Sequence, residues 1–339
     1  MKQEKVTLLD IANAVGCSKG LVSLALSDST LVSEESRSEI ILTALKLGYN
    51  LNKRKIKESK KKTVSLVVDD ISYVNEFFWE EIVKSIVETL AEKNILLDLV
   101  VYNDGIDKDG MLLSLVDKKS DGILVVAKCD DKKLASLSQS RLPIVLLDAD
   151  KCSDISCDSV SASNYSCGRY AADYFIKKGH KSVAFAGSTE MAISFKQRRN
   201  GFADGVAEHK NKVKFYDISK NGTKDCAMFD KKGLLKALRS ENPPTAVFCA
   251  NDVTACDVFD LLEKEGLKVP EDVSLMGFDK IEKEHPLLSF LDTFVVDKTA
   301  FAKTAVNLLT ERIESPQAAK KHIEIACSLV EGKSVKSFI

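Results

Sequence analysis

Between Val6 and Ser27 the apolar positions recur at helical rather than strand spacing. Leu8, Ile11, Ala12 and Val15 fall at i, i+3, i+4 and i+7, which gives a short helix one apolar face. Thr7 followed by Asp10 has the spacing of a capping box, in which two short side chains answer free backbone N–H groups. Gly16-Cys17 interrupts the helix, since glycine accepts the angles of a tight turn at little cost. Ser18 then caps a second helix whose Leu21, Val22, Ala25 and Leu26 supply inner contacts. Two short helices joined through a glycine turn can form a helix-turn-helix, whose second helix enters the DNA major groove. An ordinary helical hairpin fits the same periodicity, so the pattern alone leaves both open. A third helix is predicted from Glu34 to Leu47. Ser33 caps it, Glu34 and Glu35 suit its positive end, and Gly48 stops it. Ile40, Ile41, Ala44, Leu45 and Leu47 would roof the first two helices.

From Thr63 the pattern changes. TVSLVV, ILLDLVVY, DGILVVA and PIVLLD are short β-branched or leucine-rich runs, continuous enough for strands buried on both faces. Amphipathic segments separate them, such as FWEEIVKSIVETLAEKN with Ile82, Ile86 and Leu90 at helical spacing. SVAFAGS, VKFYD, TAVFCA and VSLMGF form a second alternating series, and LDTFVV and HIEIACSLV supply late strands. Alternation of this kind predicts βαβ units and parallel sheets. Two series imply two α/β lobes, with the cleft between them as the ligand site.

Net charge is −1 overall, but residues 1–62 carry twelve Lys/Arg against seven Asp/Glu, and the remainder is acidic. A basic head on an acidic body fits phosphate contact at one end. All of that excess lies in NLNKRKIKESKKK, residues 50–62, which by composition reads as a solvated linker. The nine cysteines show no C-x-x-C pair and no metal spacing. Thiols within apolar strands, such as Cys249 and Cys327, are expected buried and reduced. With no signal peptide and no apolar run of about 18 residues, the expectation is a cytoplasmic protein not inserted in a membrane.

VTLLDIANAVGCSKGLVSLALS followed by LVSEESRSEIILTALKLGYN resembles the DNA-binding domain of the lactose-repressor (LacI/GalR) family of bacterial transcription regulators. The resemblance rests on T-L-x-D-I-A, G-x-S at the turn, V-S within helix two, V-S-x-x-S-R, and the closing G-Y. It continues through Phe175–His180, PTAVFCANDVTA and GLKVPEDVSLMGFD, nearly the whole chain. It implies a multidomain architecture: an all-α helix-turn-helix domain (1–49), a basic hinge (50–62), and a two-lobed periplasmic-binding-protein-like α/β core with parallel sheets (63–339). The chain of such a core crosses between lobes three times, here expected near Ala162, Ser289 and Cys327. Lobe 1 would then comprise about 63–162 and 290–326, and lobe 2 about 163–289 and 327–339.

The resemblance also implies site residues. The DNA-facing set is Thr7, Ser18, Lys19, Gly20, Leu21, Ser23 and Leu24. Lys53, Arg54, Lys55, Ile56 and Lys57 of the hinge join it. Members of the family drive a leucine from this hinge into the minor groove; here the A-x-x-L pattern is missing and Ile56 is the nearest substitute. Leu24 stands where the family commonly has arginine, and Ser163 where it often has aspartate. For the effector, polar residues at strand ends are the natural candidates, because open α/β sheets bind ligands beyond the carboxyl ends of their strands. Asp148, Asn251 and Asp279 stand there, with Arg198 in the R-x-x-G-F run, and all four match the family's effector-contacting positions. Asp70, Phe77 and Phe78 would contribute from lobe 1.

Together these readings describe a homodimeric repressor that binds a pseudo-palindromic operator, since a helix-turn-helix monomer reads only a half-site. Its effector would be a small polyhydroxylated molecule, a sugar or derivative, held by carboxylates, an amide and an arginine fork. No heptad tail follows Cys327, which favours a dimer over a tetramer. Neither metal nor cofactor is expected. Without a nucleophile elbow, P-loop or paired metal-binding histidines the chain is not expected to be an enzyme. Two alternatives remain at this stage: a ligand-binding module of periplasmic type without regulatory DNA binding, and a regulator answering to a non-sugar corepressor or a partner protein.

Overall fold

The cap residues anticipated in the head are in place. In the computed structural model, α1 (Leu8–Val15) opens on a complete Thr7/Asp10 capping box, and Gly16 closes it in the left-handed region at φ 77°. Ser18 caps α2 (Lys19–Ala25) by accepting from the Leu21 N–H, and Ser33 caps α3 (Glu34–Leu47) through the Ser36 N–H. α1 and α2 meet at 103°. Ile11, Ala12, Val22, Ala25, Ile40 and Ala44 form one buried cluster between the three helices. The structure describes residues 6–27, 29–51, 61–68, 77–102, 107–126, 131–148, 157–209, 212–220 and 228–339.

Two six-stranded sheets follow. The strands of the first are β1 (Thr63–Val68), β2 (Leu96–Val101), β3 (Gly122–Val126), β4 (Ile144–Leu147), β5 (Asp158–Ala162) and β11 (His322–Ile325). Their order is β11-β5-β4-β3-β1-β2, and every pairing is parallel. The second sheet contains β6 (Ser182–Ser188), β7 (Lys214–Lys220), β8 (Ala246–Cys249), β9 (Ser274–Phe278), β10 (Asp292–Val296) and β12 (Cys327–Val330), in the order β12-β10-β9-β8-β6-β7. Here β12 runs antiparallel to β10, an edge departure from the parallel sheet expected. α4 (Phe77–Glu92) and α11 (Lys298–Glu314) pack together on the first sheet, with Ile82, Ile86 and Leu90 buried as their spacing predicts.

The second crossing needs correcting. Expected near Ser289, it falls instead between Val296 and Lys298, because β10 belongs to the second sheet. Phe294 packs there against Phe248 and Phe278, so residues 290–296 leave lobe 1. Asp297 occupies the crossing and caps α11 by accepting from the Ala300 N–H at 2.8 Å. Other differences are local. β2 and β7 are edge strands with mostly half-buried residues rather than strands buried on both faces. β5 is an additional strand whose polar sequence, DSVSA, hides it; burial between β4 and β11 makes it one.

α3 has two working faces. Ile40 and Ala44 look into the head, whereas Ile41 and Leu45 join Met111, Leu112 and Leu115 in the core of lobe 1, against α5 (Lys108–Asp117). Leu47, expected in the roof, is exposed. Arg37 donates to Asp117 at 2.7 Å at the rim of this contact, and Lys46 stands 3.7 Å from Asp109.

Buried polar ties close both lobes. Arg312 on α11 makes a fork to Asp158 on β5, with Nε–Oδ2 at 2.7 Å and Nη2–Oδ1 at 3.0 Å, both side chains out of solvent. Asp158 also accepts the Lys321 N–H at 2.8 Å, which seats β11 beside β5. In lobe 2, buried Asp292 accepts from the Ser334 N–H and hydroxyl and from the Val335 N–H, so the last residues close over β10. His180 is a structural partner: Nε2–H donates to the Lys336 carbonyl, Nδ1 meets the Thr245 hydroxyl, and burial pushes its pKa down to about 4. Breaking the Arg312–Asp158 pair strands a buried charge, so Arg312→Met should destabilise the protein by about 3–5 kcal/mol. Urea unfolding would measure it; an Asp158→Leu/Arg312→Met double variant should recover part of the loss.

Candidate functional site

The polar residues at the strand ends converge on one buried guanidinium. Arg198 sits in α8 (Ile193–Ala207), which packs tightly along α7 (Asn164–Lys177). Glycine makes this approach possible. A Cβ on Gly168 of α7 would run into the Arg198 carbonyl, and one on Gly201 of α8 into the Tyr165 carbonyl. The R-x-x-G-F run therefore has a steric meaning: Gly201 lets α8 close down while Arg198, one turn earlier, is turned inward.

Arg198 is 2% exposed and its donors have distinct destinations. Nε donates to Asn164 Oδ1 at 2.9 Å, Nη1 donates to the Ala250 carbonyl at 2.6 Å, and Nη2 lies 3.7 Å from Asp279 Oδ1. Its planar face stacks 3.4 Å from the centre of the Phe278 ring. Asn164 joins the lobes at this point. Its Nδ2 donates to Asp148 Oδ1 at 3.3 Å, at the end of β4 in lobe 1, and to Gln197 Oε1 at 3.2 Å. Asp148 and Asp279 both occupy the left-handed region, at φ 49° and 104°, a costly conformation for aspartate that the surrounding structure must hold.

Three carboxyl groups share this region and all three are shifted. Burial raises Asp148, partly offset by Arg198 and by hydrogen bonds from Ser194, Asn164 and the Ala162 N–H. Burial also lifts Asp252 to about 6, although its carboxylate accepts from the Thr293 hydroxyl at 2.7 Å and the Ile281 N–H at 3.0 Å. Asp279 is pushed furthest, to about 8: burial dominates, Arg198 opposes it, and the carboxylates of Asp252 and Asp148 add to it. Asp279 Oδ1 is buried without a hydrogen-bond partner among the described residues, since the Arg198 contact is too long to serve as one. An orphaned buried carboxyl oxygen beside a guanidinium is a place for a ligand that brings its own hydroxyl.

Of the residues read from sequence, Asp148, Arg198 and Asp279 come together here. Asn251 uses its Oδ1 to cap α10 (Asp252–Lys264), accepting from the Thr254 N–H at 2.9 Å and hydroxyl at 2.7 Å. Phe78 on α4 is half-buried, packed edge-on against Trp79 and 6.0 Å from Lys298 Nζ. Asp70 and the Phe77 side chain lie outside the described residues. Sequence reasoning missed Asn164, Ser194, Asp252 and Lys298. Asn164 and Asp252 had a signal, each opening the helix that follows a strand end. Lys298, buried and paired with Glu81 at 2.9 Å, belongs to the correctly placed second crossing and was hidden by its misplacement. Among the described residues, no His, Cys, Asp and Glu group of three or more could hold a metal ion.

At the other end of the molecule α2 presents Lys19, Gly20 and Leu24 to solvent, with Leu21 and Ser23 half-buried. The Thr7 and Ser18 side chains act as helix caps. Lys53, Arg54, Lys55, Ile56 and Lys57 lie outside the described residues.

Residues 172–335 match the model of the periplasmic binding protein-like domain. The chain is 28% identical to the HTH-type transcriptional repressor PurR of Mannheimia succiniciproducens, across 97% of this chain and 98% of the relative. It is 28% identical to the probable HTH-type transcriptional repressor ExuR of Bacillus subtilis, across 81% and 82%. Its fold is similar to that of the lac repressor dimer solved on operator with the anti-inducer ONPF, with TM-score 0.69 at 20% identity, covering 98% of this chain and all of that one. With a helix-turn-helix head followed by a two-lobed core, the chain is similar along nearly its whole length to helix-turn-helix transcriptional repressors and shares the lac repressor's fold.

Proposed function

We propose that the protein is a cytoplasmic, homodimeric repressor whose operator affinity is set by a small polyhydroxylated effector in the cleft between the lobes. The observation that carries the effector half is Asp279, a buried carboxyl beside Arg198 with one oxygen unpartnered among the described residues. Vicinal hydroxyls suit this set: one donates to Asp279 or Asp148 while a neighbouring oxygen accepts from a nearby amide or guanidinium N–H. Three carboxyl groups against one buried arginine disfavour a strongly anionic ligand. Phe78 offers an aromatic surface from lobe 1. The effector shifts operator binding only through its differential affinity for two lobe arrangements. For the dimer, Val87 on α4 and Leu96 and Leu99 on β2 are exposed apolar residues on one edge of lobe 1.

Leu24 and Gly20 give the reading helix few polar contacts, which leaves Lys19 as its main donor to base edges. The half-site should therefore tolerate A·T pairs, with the Leu24 side chain against thymine methyls. Selection from random duplexes checks this; a G·C-rich consensus unaffected by Lys19→Ala would overturn it.

The hinge acts through phosphates. Each neutralised phosphate steepens the log–log salt dependence by about 0.9, so replacing Lys53, Lys55 and Lys57 by Gln should flatten it by roughly two to three units. With Ile56 as a minor-groove wedge, Ile56→Ala loses specific binding more than non-specific binding. An unchanged slope identifies an inert linker.

Effector binding should release a proton near neutral pH. In the empty cleft Asp279 keeps its proton until about pH 8, and a hydroxyl donated to its carboxylate favours the ionised form. Affinity then rises with pH towards 8 and levels off above it, by up to tenfold per pH unit. Calorimetry in two buffers of different ionisation enthalpy, using whichever sugar a thermal-shift panel selects, measures the released proton. Asp279→Asn should abolish both the proton release and the ligand response while leaving operator binding in place. It is a cleaner test than Arg198→Ala, which also removes the bond to the Ala250 carbonyl inside lobe 2. A response equal to wild type would move the pocket elsewhere.

A further inference from the structure

Two of the three crossings carry a cysteine at the same point. Cys167 lies on the first turn of α7, directly after the crossing from β5, and Cys327 opens β12, directly after the crossing from β11. The crossings are already laced together. The Ser163 N–H donates to the Ile325 carbonyl at 3.0 Å, and Ser163 Oγ stands 3.7 Å from each sulfur. Both sulfurs thus lie against one hydroxyl where the two crossings meet. Cys167 is buried and Cys327 partly open to solvent, so the pair has one inner and one approachable member.

We propose that Cys167 and Cys327 form a redox modification site, a reversible disulfide that joins the first and third interlobe crossings. Their electrostatics divide the labour. The neighbouring Cys167, the Ser163 hydroxyl donating to its sulfur and the Arg198 charge draw the Cys327 thiol down, which makes it the nucleophile, while Cys167 is pushed up and keeps its proton. Burial pushes Cys157 to about 11, Cys256 to about 12 and Cys249 well upward, so these thiols stay inert. With hydrogen peroxide as oxidant, the Cys327 thiolate attacks one oxygen, the O–O bond breaks and hydroxide leaves, giving a sulfenic acid. Cys167 then gives up its proton and attacks the Cys327 sulfur, and the S–O bond breaks with loss of water. Two thiols and one peroxide become one disulfide and two waters; a dithiol reductant reverses the two-electron change. The bond would tie two of the three connections about which the lobes rotate.

Full-length reduced protein, treated with dilute peroxide, blocked with iodoacetamide and digested, should yield the Cys167 peptide linked to the Cys327 peptide, two hydrogens lighter than their sum. Dithiothreitol should restore both. Cys167→Ser should leave a sulfenic acid on Cys327 that dimedone captures, and Cys327→Ser should abolish both products. Amide exchange at 162–164 and 325–327 should slow on oxidation and recover on reduction in the wild-type chain, a readout independent of any variant's folding. Equal alkylation of both thiols after peroxide, or disulfides scattered among the other cysteines at comparable yield, would overturn the proposal.

Discussion

Much of lobe 2 is arranged around one guanidinium without access to water. Removing a charge of this size from solvent costs several kcal/mol even after relaxation, and the cost is offset only if nearly every donor finds a partner. Arg198 finds an amide oxygen on Asn164, a backbone carbonyl at Ala250 and an aromatic face on Phe278, with Asp279 nearby but not bonded. Each partner comes from a different element. Their positions therefore constrain where β8 ends, where α7 begins, and how the chain turns after β9. Asp252 completes the set from below, because by holding Thr293 and the Ile281 N–H it fixes the left-handed loop that presents Asp279.

Carboxyl groups are crowded around this cation to a degree that one arginine cannot neutralise. The molecule resolves the conflict by keeping a proton on Asp279. A site of this kind holds interaction energy in reserve, since an arriving hydroxyl meets an acceptor already dehydrated and fixed in direction.

Elements whose physics is local were legible in the sequence. Thr7/Asp10, Ser18, Ser33 and the glycines at 16 and 48 specify helix ends through hydrogen bonds within a few residues, and those ends were read correctly. Strands with continuous apolar runs were equally plain. β5 was not, because its serines and aspartate become strand only through neighbours distant in sequence. The fate of LDTFVV depended on which sheet offered an edge, which periodicity cannot express. Strand-end position pointed to Asp148 and Asp279 and the R-x-x-G-F run to Arg198, but neither could show that the Asn251 amide oxygen serves as a helix cap. The bond network that makes Asn164 the bridge between lobes exists only in three dimensions.

The second face of α3 gives the head a mechanical coupling to the core that does not pass through the linker. Ile41 and Leu45 seat the helix on lobe 1, and Val22 and Ala25 clamp the reading helix to its other side. At 1.5 Å per residue the fourteen residues of α3 span about 21 Å. The core and the reading helix grip the same two turns of α3, through Ile41 and Leu45 on one side and Ile40 and Ala44 on the other, so with the docking intact the head turns with lobe 1 as one body.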